Sequence, residues 1–220
     1  MKKIVAFLLF GVILMSFASC KDDKTESSSS EIPSQISSAT SDLSSQVESE
    51  IDYDKMLIDV NNKAEKIINE QVYGSMTDIE KAKQLYTWLY FNFKYRAIDV
   101  DISKGYTDEL TAELADYYFT YYKGSCEHYA AAQKIFLDLL GFETYYIEGE
   151  RYDSGSGEWG EHVWIIIHYE GAYYHVDGLF GGNHAPSLYS TFCVPDSAIE
   201  NTHRWDKNYY PACTQPQLIV

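Results

Sequence analysis

At Gly141 the hydrophobic period of the chain changes, and no other feature constrains the fold as much. Before it, apolar residues recur at helical spacing. After it come runs rich in Thr, Tyr, Val and Ile, separated by turn residues. Helices first and antiparallel strands afterwards predict an α+β domain.

The last helical stretch, Lys123 to Gly141, organises the rest. From Tyr129 the apolar positions Ala132, Phe136, Leu139 and Leu140 mark one helical face, and Gly141 supplies a stop. Gly124 or Ser125 stands at the N-cap, so Cys126 falls in the first turn. Unpaired N–H groups and the helix dipole favour an anion there, which predicts a lowered thiol pKa and a better nucleophile. A small buried core thiol is the other reading.

Earlier helices are legible too. Leu57, Val60, Ala64, Ile67 and Ile68 predict one over about 53–71. Thr77-Asp78-Ile79-Glu80 is a capping box opening a second, with Ala82, Leu85, Tyr86 and Leu89 inward, that ends at Asn92-Phe93-Lys94-Tyr95. Thr107 is placed to cap a third, carrying Leu110, Leu114, Tyr117 and Tyr118.

Beyond Gly141, Glu143–Glu150 and His162–Tyr169 read as strands, and Glu170-Gly171 as a two-residue turn into Ala172–Asp177. That turn places Asp177 opposite Trp164, so His162 and Asp177 become diagonal neighbours on one face, roughly 7–8 Å apart between the two backbones. The carboxylate can then orient the imidazole. If that face packs on the start of the Cys126 helix, thiol, base and orienting group line up. His128 points to another side of its helix and makes a poor base, and His168 and His175 have no evident role. His175, Asp177 and His184 form no compact ligand motif, so no metal and no cofactor are expected.

The first fifty residues differ in kind. Met1-Lys2-Lys3 and the apolar run Ile4–Phe17 read as a signal peptide over 1–19, too short to span a membrane comfortably. Phe17-Ala18-Ser19-Cys20 resembles a bacterial lipobox, which implies that Cys20 is lipidated and holds the protein on the outer face of the cell membrane. A plain secretory peptide is the alternative. In residues 21–50, eleven of thirty are serine and none is aromatic, which predicts a flexible tether over 20–50. Residues 51–220 are long enough for one domain with its own core. This domain carries 13 Lys+Arg against 26 Asp+Glu, which argues against nucleic acid and mildly favours cationic ligands such as amines. Cys193 and Cys213 could pair as a disulfide or stay reduced.

Three segments in order resemble the transglutaminase-like (papain-like cysteine) superfamily. They are Gly124-Ser125-Cys126-Glu127-His128-Tyr129-Ala130, Glu161-His162-Val163-Trp164-Ile165 and Tyr174-His175-Val176-Asp177, with Asn92-Phe93-Lys94-Tyr95 ending the upstream helix. The resemblance spans about 77–180 and implies Cys126 as nucleophile, His162 as general base and acid, and Asp177 as its orienting partner. It implies a thioester formed from a protein or cell-wall peptide amide and resolved by water or an amine acceptor. The Cys126 backbone N–H is one candidate oxyanion donor. A surface-anchored acyl-enzyme is therefore expected, with a catalytically silent binding or adhesion module as the alternative.

Overall fold

The computed structural model describes residues 35–179 and 187–219, with side chains from Tyr53 onward. The signal peptide, Cys20 and His184 lie outside the described residues. The chain divides into two units, 1–42 and 43–220. Among the described residues, no helix is long and apolar enough to cross a membrane.

Among the described residues, five helices and seven strands follow in chain order: α1 (Gln35–Gln71), α2 (Asp78–Asn92), β1 (Lys94–Tyr95), α3 (Asp108–Tyr121), β2 (Lys123–Gly124) and α4 (Cys126–Leu139). Then come β3 (Glu143–Asp153), β4 (Glu158–Tyr169), β5 (Ala172–Val176), β6 (Phe192–Val194), α5 (Asp196–Ile199) and β7 (His203–Trp205). The α+β order expected from the period change is the order found. The larger sheet runs β6-β5-β4-β3-β7, every neighbour antiparallel.

The expected start of the first helix at about 53 needs correction, because helix α1 already begins at Gln35, within the stretch read as a tether. Leu43, Val47 and Ile51 recur every fourth residue and continue the series at Leu57 and Val60, a pattern the serine content hides. Val60, Ala64 and Ile67 bury against Leu85, Leu89, Tyr118 and Phe136. The capping box of α2 is complete: the Thr77 hydroxyl accepts from the Glu80 N–H, and the Glu80 carboxylate accepts from the Thr77 N–H at 2.7 Å. Thr107 caps α3 through the Leu110 N–H at 3.1 Å.

Helix α4 is buried nearly all round, Cys126 and residues 128–133 included, so it is the central helix and not an amphipathic surface one. Leu139, expected inward, is exposed. Strand β4 explains the layering. Val163, Ile165 and Ile167 face the α4 side, and Trp164 and Ile166 face a second core with Ile147, Val194 and Cys213. Cys193 belongs to the first core and Cys213 to the second, which separates them across the sheet; both thiols are free. The disulfide alternative is thereby corrected.

Candidate active site

The β4–β5 hairpin has the expected register, with Ile165 paired to Val176 and Tyr169 to Ala172. Glu170 and Gly171 both take positive φ, 50° and 79°, as a tight two-residue hairpin turn requires. His162 and Asp177 do meet. His162 Nε2–H donates to Asp177 Oδ2 at 2.8 Å, with both side chains buried. Among the described residues no hydrogen bond ends on His162 Nδ1, which leaves that nitrogen to receive a proton. Burial alone would raise the Asp177 pKa, yet the imidazoles of His162 and His203 outweigh it and hold the carboxyl far below the usual range.

Cys126 is the first residue of α4, after the Ser125 N-cap. The turn before it is closed by His128, whose Nδ1 lies 3.3 Å from the Ser125 N–H and 3.0 Å from Ser125 Oγ. With both donating to it, His128 serves as a cap. Burial lowers its pKa, which suits a neutral acceptor. Gly124 is needed for this closure, because a Cβ there would stand 2.5 Å from the His128 side chain.

The thiol contradicts one expectation. Burial, then the charge and hydrogen bond of Glu127, push its pKa up to about 12. That costs the thiolate about 4 kcal/mol relative to an ordinary cysteine, more than the roughly 0.3–2 kcal/mol a helix N-terminus offers an anion. Burial and a neighbouring carboxylate therefore win over the dipole. The S–H donates to Glu127 Oε2 at 3.4 Å, and the Val163 backbone N–H donates towards the sulfur.

The packing face is the second correction. The pleat of β4 turns Val163 towards α4 and His162 with Trp164 to the opposite face, because successive strand residues alternate. The thiol therefore reaches β4 at its backbone, one residue from the imidazole, and no hydrogen bond joins Cys126 to His162 among the described residues. A cleft of about 170 Å³ bridges the two sides, lined by Glu127, His162 and Val163 together with Tyr106, Glu148 and Glu161. A larger concavity of about 790 Å³, walled by Tyr145, Tyr146, Tyr209 and Tyr210, adjoins it through the shared Tyr106 and Glu148. Tyr106 is kept protonated by burial first, then by Glu127 and Cys126, so a neutral hydroxyl lies near the thiol.

His203 escaped the sequence reading. It lies on β7 beyond the recognisable segments, and its Nε2 donates to Asp177 Oδ2 at 3.0 Å. His175 lies behind, where Trp164 Nε1–H donates to its Nδ1 at 3.0 Å and its Nε2–H donates to Asp196 at 2.8 Å. The donor atoms of His162, Asp177 and His203 lie within 4.8 Å of one another, as do those of His175, Asp196 and Cys213. In the second group the Trp164 bond keeps the proton on His175 Nε2, which removes that lone pair from metal binding.

The family model of the transglutaminase-like superfamily matches residues 65–178, a little over half of the chain. The chain belongs to the transglutaminase-like superfamily. No curated protein matches its sequence. Among solved structures, this transglutaminase-like chain is similar to a proposed cysteine protease from Cytophaga hutchinsonii, with 18% identity over 52% of this chain and 36% of that one, and a TM-score of 0.36. It is also similar to an arylamine N-acetyltransferase from Bacillus cereus, with 13% identity over 63% and 54% and a TM-score of 0.42. A third, arylamine N-acetyltransferase C from Bacillus anthracis, has 19% identity over 63% and 53%, with a TM-score of 0.41. The chain thus spans between about a third and a little over half of these proteins' lengths.

Proposed function

We propose that the chain is a thiol acyl-enzyme acting on amide bonds of proteins or cell-wall peptides, held on the outer face of a bacterial membrane by lipid on Cys20. One observation carries the chemistry: a thiol at a helix start lies beside a cleft lined by its neighbour Glu127 and by an imidazole that a buried carboxylate orients. The thiol rests neutral beside Glu127. With substrate in the cleft, it gives its proton to His162 Nδ1 as the sulfur attacks the carbonyl carbon. The oxyanion takes the Cys126 backbone N–H, and collapse expels the amine with the proton His162 had received. Water or an amine then attacks the thioester, with His162 as base. The three glutamates of the cleft favour an uncharged or cationic reactant over an acidic one. The adjoining tyrosine wall gives the rest of a peptide a surface to lie on.

The test is Cys126→Ala against wild type, with peptide-release and amine-incorporation assays and mass spectrometry for a trapped thioester. The variant should lose turnover and adduct together. A variant as active as wild type sinks the reading, and the two assays divide hydrolysis from transfer.

A second reading is a silent binding module that kept the fold. The Cys126–Glu127 bond and the unjoined His162 favour it. Iodoacetamide at pH 7 separates the two: a thiol no faster than free cysteine under any substrate condition supports the silent module.

A further inference from the structure

The Asp177 carboxylate carries more partners than orienting one imidazole requires. Its Oδ1 accepts from the Leu179 N–H at 3.1 Å, while Oδ2 accepts from both His162 and His203, at 2.8 and 3.0 Å. His203 stands on β7 in register with Arg151 of β3. Its side chain is fully buried, its Nδ1 lies 3.0 Å from Thr202 Oγ1, and its ring meets Trp164 edge-on at 5.1 Å. A buried ring of this kind costs free energy unless its nitrogens are hydrogen-bonded. Here both are, and one bond ends on the very oxygen that His162 uses.

We propose that His203 is a positioning residue of the candidate site: it holds Asp177 Oδ2 where that oxygen accepts from His162, and it shares the carboxylate's charge with that ring. It touches no reacting atom. The role rests on reading Cys126, His162 and Asp177 as one site. Without the second ring, Oδ2 loses a donor and more of the carboxylate's field falls on His162, which stabilises the protonated imidazole. A ring that is already protonated cannot take the thiol's proton, so fewer molecules would be poised to react. The other titratable groups facing this cluster are Tyr86 from α2, Tyr106 from the loop before α3, Cys126, Glu127 and Tyr129 from α4, Glu148 from β3, Glu161 from β4 and His175 from β5. They are common to wild type and variant.

Ring ¹⁵N NMR titration of the full chain tests this without any turnover, so its failure leaves the acyl-enzyme reading standing and the converse also holds. In wild type, protonating His162 should displace the His203 Nε2 resonance, since both rings donate to one oxygen. In His203→Leu the His162 midpoint should rise by about one pH unit or more, and His203→Gln, which keeps one N–H donor, should recover part of that rise. Two rings that titrate independently in wild type, or an unmoved midpoint in folded His203→Leu, overturn the proposal. If the leucine variant does not fold, the wild-type coupling decides alone.

Discussion

Two clusters against this sheet contain the same three residue types, a thiol, an imidazole and a carboxylate, and they differ in order. Around Asp177 the carboxylate sits behind His162, whose ring lines a cleft with Glu127 and Val163 and whose Nδ1 takes no hydrogen bond among the described residues. Around Asp196 the carboxylate sits between the other two, accepting from His175 Nε2–H at 2.8 Å and from the Cys213 backbone N–H at 3.1 Å. There the imidazole's second nitrogen is filled by the Trp164 N–H, and Asp196 helps hold the Cys213 thiol protonated after burial has done most of it. Composition is shared, so composition does not make a site. An imidazole can act as a base only if one nitrogen is oriented and the other is left to take a proton.

The largest contrast comes from removing each imidazole. His162→Ala should lower amide turnover about 10²- to 10⁴-fold. His175→Ala should leave turnover unchanged but lower stability by about 1–3 kcal/mol, because the buried Trp164 N–H and Asp196 lose their partner. Steady-state rates with denaturant unfolding measure both, and equal losses of turnover would erase the distinction between the clusters. Next comes Glu127→Gln, which removes the carboxylate acting on Cys126. Alkylation at pH 8 should rise about tenfold, as a thiol pKa about one pH unit lower implies. An unchanged rate would assign the raised pKa to burial alone.

Acid stability gives the smallest effect. Both Asp177 and Asp196 are held below the ordinary carboxylate range although burial opposes it, Asp177 by two imidazoles and Asp196 by His175 and the Cys213 N–H. A depressed folded-state pKa gives stability that is present above the unfolded value, roughly pH 4, and is lost as pH falls towards the folded value. Stability measured between about pH 2 and 5 should therefore vary less with pH in Asp177→Asn, and the flattening should be smaller in Asp196→Asn. The reverse order would mean that the second imidazole adds nothing to Asp177.

Much of this arrangement is legible in the sequence because it is local. Thr77 with Glu80, Thr107, and the Glu170-Gly171 turn act within a few residues of themselves, and the turn alone sets the register that brings His162 to Asp177. Helix α1 began earlier than expected because a serine-rich composition concealed its four-residue spacing. His203 carries no local signal, being a lone histidine on a three-residue strand whose meaning comes from a contact 26 residues away.

By itself the sequence determined the order of helices and strands, the thiol at a helix start and the imidazole–carboxylate pair, since short-range periodicity and turn chemistry govern all three. Only the tertiary structure decided which face of β4 meets α4, how deeply Cys126 is buried and that Glu127 and His203 join the site. Burial and through-space charge depend on neighbours distant in the chain, and here they overrule the helix dipole that the local sequence advertises.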